Sequence, residues 1–472
     1  ACAIYGSRAA NGVILITTKE GKVAKKSKDC ESSSQSEISY DAYYGIQKIE
    51  KYVDVANASE YYKTFRSNNP TFNLTVPSYA DTSGAGTDWQ KEIYRLATTQ
   101  RHTVSYESGS DISSIRISGN FLKQEGIVKT TDYQSMGFGG KASHNLKKWL
   151  SIQESFGFSS SKKDLISEGA GIYNNNPVIL ALLMDPTVPV KSENTLYDDT
   201  SHYGLTTNYY NGVFNDIRNP VRVLDLNNQT NKNQGYNGSF TINLTPIKNL
   251  SVTSLIGANG YTNRYESFTP LFYQNANAVW YLYPNKQGAT YQLNESYGYS
   301  YTLTNTATYT IEKTDSNQNP IHNLQIMAGN ETYYKYGNGQ TIDGYYMDPT
   351  LTSDIRHISM ADSSVVSKYN IPSELAMQSI LGRINYSFKN RYLATVNIRY
   401  DWTSRFTKEN RLGKFPSFSL GWKISDENFF KNNEKLKKIN ECKLRLGWGT
   451  IGNSNTVDDK GYDNIYPYAS TM

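Results

Sequence analysis

Over residues 379–401 apolar and polar side chains take turns. Tyr392, Ala394, Val396, Ile398 and Tyr400 share one face, and Leu393, Thr395, Asn397, Arg399 and Asp401 share the other. Just before them, Ile380, Gly382, Ile384, Tyr386 and Phe388 oppose Arg383, Asn385 and Ser387. Two more runs follow the same rule. Pro416, Phe418, Leu420, Trp422 and Ile424 oppose Ser417, Ser419, Gly421 and Lys423, and Cys442, Leu444, Leu446 and Trp448 oppose Lys443, Arg445, Gly447 and Gly449. A period of two means strands with one apolar face, each about as long as a tilted membrane strand of ~9–11 residues. A soluble sandwich gives the same alternation, so the pattern alone leaves both architectures open.

Strands are likewise predicted over 38–46, 113–122, on both sides of 145–148, over 238–244, 250–258 and 301–311, and up to about 334. In 301–311 threonine occupies every even position from Thr302 to Thr310. One helix is expected over 54–66, where Val55, Ala58, Tyr61, Tyr62 and Phe65 recur at helical spacing. Alternation lapses over 160–235, 261–296 and again before about 370, in stretches rich in Tyr, Asn and Pro. Between strands the chain therefore alternates tight polar corners (145–148, 246–249, 389–390) with long insertions. Long loops confined to one end are ordinary in a membrane barrel and unusual in a compact soluble domain.

Composition is compatible with such a wall. Only 19% of the 472 residues are charged, and 39 are tyrosine. No stretch approaches the ~18 apolar residues of a spanning helix, which excludes a helical membrane protein. A barrel needs apolar side chains only on its outward face within the membrane band, and tyrosine suits both the interfacial girdles and the loops. The net charge of +5 leaves no nucleic-acid footprint. Cys2, Cys30 and Cys442 have no metal-ligand spacing, and their odd number cannot be fully paired within the chain. Cys442 is expected to point outward from its strand.

Three strings carry more information than alternation does. Residues 1–22 contain Ala3-Ile4-Tyr5-Gly6-Ser7-Arg8-Ala9-Ala10-Asn11-Gly12-Val13, followed by a β-branched strand ending at Thr18. The second runs from Asp88-Trp89 through Gly109-Ser110-Asp111 to Gln124-Glu125-Gly126-Ile127. The third holds Asp401-Trp402-Thr403-Ser404-Arg405-Phe406, Phe415-Pro416-Ser417-Phe418, and Leu444-Arg445-Leu446-Gly447-Trp448-Gly449 up to Gly452-Asn453. In this order they resemble the SusC/RagA-like family of TonB-dependent outer-membrane receptors found in Bacteroidetes. Trp402 departs from the family's usual Gly, and Gly447-Trp448 from its Ser-Tyr.

The resemblance implies an all-β fold, a large antiparallel transmembrane β-barrel preceded by the end of an α+β plug domain. Residues 1–22 would be the C-terminal end of the plug, 23–36 a linker, and 37–472 an incomplete barrel of about 14 of the family's roughly 22 strands. It further implies a fragment whose TonB box lies outside this chain, located in the cell outer membrane. The expected function is TonB-dependent import of nutrients, oligosaccharides first and peptides as the alternative, beside a passive porin or an adhesin. Expected partners are a SusD-like surface lipoprotein, the TonB-ExbB-ExbD energy-coupling complex, the substrate and outer-membrane lipid, with no nucleic acid.

No catalytic, cofactor-binding or metal residue is expected, and no cofactor. His102, His144, His202, His322 and His357 are scattered, and no Gly-x-Ser-x-Gly elbow occurs. Asp198-Asp199 and Asp458-Asp459 read as solvated pairs, and neither fits a calcium loop. The aromatic-rich insertions 160–235 and 261–296 are expected to contact ligand or lid, or to pack among themselves. The turn Arg8–Gly12 is expected to be structural, with Arg8 paired to a carboxylate of the wall.

Overall fold

The computed structural model describes Ser7 and residues 35–68, 80–168, 176–191, 217, 219–226, 228–269, 289–316, 320–347, 361, 363–369, 372–434 and 436–454. The expected plug end and linker therefore lie outside the described residues, except for Ser7 and for Gln35 and Ser36, which already belong to the first strand.

The strands are β1 (Gln35–Gln47), β2 (Ala97–Gly109), β3 (Ser113–Glu125), β4 (Asp132–Lys147), β5 (Leu150–Leu165), β6 (Asn228–Ile247), β7 (Leu250–Thr269) and β8 (Ala289–Thr314). They continue with β9 (Pro320–Met347), β10 (Ser363–Tyr369), β11 (Ser373–Phe388), β12 (Tyr392–Thr403), β13 (Leu412–Lys414), β14 (Ser417–Lys423) and β15 (Lys443–Gly449). All lie in one antiparallel 15-stranded sheet. Its path follows chain order from β1 to β15, with β10 paired to β9 and β13 to β12 on the side. This is a partial barrel wall. Among the described residues its outer edges, β1 and β15, are not paired to each other.

Side-chain placement separates a membrane wall from a sandwich, because it is inverted. Val396, Ile398 and Trp402 are exposed, while Asn397, Arg399, Asp401 and Thr403 between them are buried. Ile380 on β11 is likewise exposed between buried Ser379 and Leu381, while on β14 and β15 Phe418, Leu420, Leu446 and Trp448 are exposed together with Ser419, Arg445 and Gly447 between them. Apolar groups face outward because lipid surrounds the wall, and polar groups face the lumen.

Lumen side chains pair across neighbouring strands, as Ser155–Ser239 at 2.7 Å, Asn243–Thr253 at 2.8 Å and Arg383–Asn397 at 2.7 Å. The few polar groups on the outward face satisfy one another. Ser254 donates to Asn305 at 2.7 Å and Asn305 to Asn330 at 3.0 Å, so these three side chains meet hydrocarbon already paired.

Two aromatic belts bound the apolar band. At the tight-turn end, Phe388 and Tyr392 lie 6.2 Å apart and Tyr392 stacks on Trp422 at 6.5 Å. At the other end Tyr299 packs on Tyr334 and Tyr336, and Phe158 on Tyr236 at 5.3 Å. These are the interfacial girdles of a barrel.

The corners sit near their expected positions, at 148–149, 248–249 and 389–391. Asn249 (φ 70°), Lys389 (φ 48°) and Asn390 (φ 53°) take the left-handed conformation that lets so few residues reverse a strand. Cys442 is half-buried and just precedes β15, so it is not the outward strand residue expected.

Strand length departs most from expectation. β5 continues to Leu165 and β6 starts at Asn228, β7 reaches Thr269, and β8 and β9 run for 26 and 28 residues. Much of the three supposed insertions is paired strand. Once a strand leaves the bilayer both of its faces meet water, so alternation ends while backbone pairing continues.

The expected helix is α1 (Ala58–Asn68), starting later than its apolar spacing indicates. Asn57 and Glu60 set its start by exchanging side-chain-to-backbone hydrogen bonds at 2.9 and 3.1 Å, a capping box. Three short helices, α2 (Trp89–Ile93), α3 (Pro177–Leu183) and α4 (Pro220–Leu226), lie in the long connections, and α5 (Asn428–Lys431) links β14 to β15.

The outward face generates a prediction. Ile384→Arg on the full-length receptor should cost about 2–4 kcal/mol in urea unfolding from lipid vesicles, as a cation does near the bilayer midplane. Thr306→Arg, on the lumen face, should cost far less. Equal losses would contradict the assignment of faces.

A second prediction concerns the tight-turn girdle. Glu427 accepts from Tyr392 Oη at 2.7 Å, Trp422 Nε1 at 3.0 Å and Arg391 Nη1 at 2.8 Å. These donors, Tyr392 foremost, hold its carboxyl below the usual range. A lowered folded pKa contributes stability above the unfolded value of about 4.3 and loses it as pH falls through the folded value. The stability gap between wild type and Glu427→Gln should therefore be widest above about pH 4.3 and close below it. A gap independent of pH would remove this role.

Candidate functional site

A charged cluster on the lumen face of β9, β11 and β12 holds the one described residue from the first 34. The Ser7 backbone N–H donates to Asp401 Oδ2 at 2.9 Å, and the Ser7 hydroxyl donates to the same oxygen at 3.1 Å. On its far side Ser7 O accepts from the Ser454 N–H at 3.4 Å. Asp401 Oδ1 accepts from Arg399 Nε at 2.6 Å. Arg399 Nη2 reaches Glu331 at 2.9 Å and Ser379 at 2.8 Å. Arg399 and Asp401 are each only 2% exposed.

The order of these groups follows from strand geometry. Arg399 and Asp401 are two apart on β12 and so share its lumen face, and Ser379 lies directly opposite Asp401 on β11. Glu331 lies opposite Ser379 on β9. Arg399 thus stands between two carboxylates, and Ser7 supplies the donors that complete Asp401. Hydrogen bonds to a charged group contribute about 1.5–3 kcal/mol each. The arrangement can hold a chain segment against the wall and, under load, let it go.

Higher on the lumen face lies a groove of about 480 Å³. Asn237, Asn259, Tyr261, Ser300, Tyr333 and Lys335 line it. Gly157 keeps its floor low, because a Cβ there would meet the Asn237 amide. Amide, hydroxyl and ring chemistry of this kind suits a polar, extended ligand.

The mouth of the wall carries a small apolar core. Trp89, Ile93, Ala181, Met184, Val188 and Leu224 bury one another, joining the connection 48–96 to the connection 166–227. Trp89 Nε1 donates to Asp185 O at 2.9 Å, and Thr87 N to Pro186 O at 2.8 Å. Gly86 (φ 68°) is required at this crossing, since a Cβ would strike Pro186 O and Ala58.

His102, His144 and His322 lie on the outward face, where His102 accompanies Tyr40 and His322 accompanies Tyr386. His202, His357, Asp198, Asp199, Asp458, Asp459, Cys2, Cys30 and the turn Arg8–Gly12 fall outside the described residues, as does most of the aromatic content of the insertions. Arg8 lies outside the described residues, and the described partner of the wall carboxylate Asp401 in the N-terminal segment is Ser7. Among the described residues no group of His, Cys, Asp and Glu could hold a metal.

Compared with known proteins, the chain is 30% identical to the TonB-dependent receptor SusC of Bacteroides thetaiotaomicron, over 99% of its own length and 43% of that protein. It is a homologue of the SusC/RagA family of TonB-dependent receptors. TonB-dependent receptor P3 of Formosa agariphila is 26% identical over 96% of the chain and 41% of its own length.

Among solved structures, the RagAB peptide importer in its closed-closed state superposes with a TM-score of 0.71 at 18% identity, covering 95% of this chain and 50% of that one. The RagAB peptide transporter gives 0.70 at 19% identity, over 99% and 51%. No family model matches. The chain spans less than half the length of the curated relatives it matches. Its homology and its inverted wall place it in the outer membrane as a multi-pass β-barrel, and these relatives are receptors rather than enzymes.

The charged cluster generates a prediction for the full-length receptor. Asp401→Asn breaks a buried ion pair and should cost about 3–5 kcal/mol in urea unfolding. Ser7→Ala alone should cost about 1.5–3 kcal/mol, and much less in the Asp401→Asn background. Strictly additive losses would mean that Ser7 and Asp401 do not act together.

Proposed function

We propose that this chain is the plug-proximal part of an outer-membrane receptor that imports a solute with energy delivered by TonB, ExbB and ExbD. In this reading residues 1–22 end the plug, 23–36 link it to the wall, and 37–472 form barrel. The observation that carries the reading is Ser7, buried on the lumen face through two hydrogen bonds to Asp401. A wide polar lumen needs a filling to keep the outer membrane tight, and a filling that must leave needs contacts that are strong yet few. A passive pore has no need of such a latch.

The substrate class we propose is peptide, with oligosaccharide second. The RagAB structures are those of a peptide importer, which supports the first. The tyrosines and amides of the lumen groove suit either, because both ligands are extended and rich in polar groups. A SusD-like surface lipoprotein seated on the loop end, above the apolar core at the mouth, completes the proposed assembly.

Growth of the native bacterium on single nutrients tests the reading. Deleting the full-length gene should abolish growth on one oligomer from a panel of peptides and glycans, and removing TonB should abolish it equally. Growth on every nutrient, with the wild-type protein shown beforehand to reach the outer membrane, would overturn import. Loss on a glycan alone would replace peptide by oligosaccharide.

A further inference from the structure

Outside the barrel, two outward positions beyond the aromatic belt at the loop end, three cations stand in a row across three strands. Lys162 on β5 lies directly opposite Lys232 on β6, and Lys232 lies directly opposite Arg264 on β7. Like charges placed opposite one another on one face of a sheet destabilise it, and Asp164, Glu266 and Glu295 offset that repulsion beside the row. Its side chains are 49%, 51% and 42% exposed, leaving them accessible from outside.

The row borders a depression of about 510 Å³ on the outward face. Ser160 and Thr262 form its low floor between Met136 and Tyr297, and Gln134 and Gln234 add amides. Of the charged residues that line it, three are cations and one, Glu295, is an anion. Two further carboxylates steady the cations from the next outward position away from the membrane. Asp164 lies 3.1 Å from Lys162, and Glu266 lies 3.8 Å from Lys232 and 2.6 Å from Arg264, while Glu295 is 3.3 Å from Arg264. Asp164 and Glu266 therefore stand on the water side of the cations, and Glu295 stands level with them, directly opposite Arg264.

Immediately below, Phe158 and Tyr236 pack at 5.3 Å and Phe138 and Phe156 at 5.6 Å, marking the end of the hydrocarbon band. The depression thus sits at headgroup level, where basic side chains attract anionic lipid.

We propose that this depression binds the phosphorylated sugar headgroup of an outer-leaflet glycolipid. Lys162, Lys232 and Arg264 contact the phosphate, Gln134, Gln234 and Thr262 the sugar hydroxyls, and Met136 and Tyr297 the start of the acyl region. The occupant is membrane lipid rather than a soluble phosphate, because the floor continues downward into the lipid-facing aromatic belt. Such a lipid compensates the cation row and clamps β5, β6 and β7 together above the bilayer.

The test uses full-length receptor in nanodiscs doped with either a phosphorylated lipid A-type glycolipid or the same glycolipid after dephosphorylation. Bound glycolipid is counted by native mass spectrometry. Wild type should retain the phosphorylated form, and Lys162→Gln/Lys232→Gln/Arg264→Gln should weaken retention by roughly a hundredfold. Lys148→Gln, which removes an exposed cation from the tight corner at the opposite end of the wall, should leave it unchanged.

Equal retention of both glycolipids by wild type overturns the proposal, and this comparison stands even if the triple variant fails to fold. Retention by a folded triple variant at the wild-type level overturns it too, as does an equal loss in Lys148→Gln. Displacement of the glycolipid by millimolar inorganic phosphate, with phosphate then held at the same site, would make the site one for soluble anions and overturn the lipid assignment.

Discussion

Hydrocarbon offers no partner to a peptide N–H or C=O, and the rest of this structure depends on that fact. Each unpaired group costs several kcal/mol in lipid, so the chain can cross only as strands whose neighbours complete every ladder. From this follow the unbroken chain-order sheet and the short corners at one end. The period of two follows as well, because a paired strand must point alternate side chains to opposite faces. Lipid selects Val396 and Ile398 for one face, and the aqueous interior permits Asn397 and Arg399 on the other. The same constraint forbids open edges in lipid, so the outer sides of β1 and β15 need strand partners for the wall to close.

The constraint also sets what was legible in the sequence. Within the membrane band every second residue is under opposite selection, and β11, β12 and β14 could be read almost residue by residue. Above the band that selection stops, so the outer halves of β6 to β9 read as insertions although they pair without interruption. There the hydrogen bonds are the same but the side chains carry no record of them. The core at the mouth was hidden for a related reason. α2, α3 and α4 are each too short to show a helical period, and Trp89 meets Met184 and Leu224 only after two distant connections fold together.

The charged cluster was half legible. The alternation places Arg399 and Asp401 on one polar face, yet nothing in the sequence fixes which side chains complete them. Glu331 lies far back in the chain, and only the β9–β11–β12 register brings it to Arg399. Arg8 seemed the natural partner for a wall carboxylate because it is charged. Arg8 lies outside the described residues, and the described donors to Asp401 from this segment are the Ser7 backbone N–H and hydroxyl, which carry no distinctive signal in a sequence. The cation row is similar. Lys162, Lys232 and Arg264 are unremarkable singly, and become a site only through register.

Neutral donors at Ser7 have a physical advantage over a charged partner. A buried ion pair split by movement strands a charge in a poorly solvated site, at a cost of several kcal/mol. Asp401 avoids this because Arg399 stays beside it on the same strand, and Glu331 stays beside Arg399, whether or not Ser7 is present. At Asp401, what separates when Ser7 leaves is two hydrogen bonds donated by Ser7, each exchangeable for one to water. The wall keeps its charges matched throughout. On the proposed function, an energy-coupling pull therefore has to overcome contacts of a few kcal/mol at this latch rather than the full desolvation of a salt bridge. A wall so balanced can release the segment and take it back without unfolding around an orphaned charge.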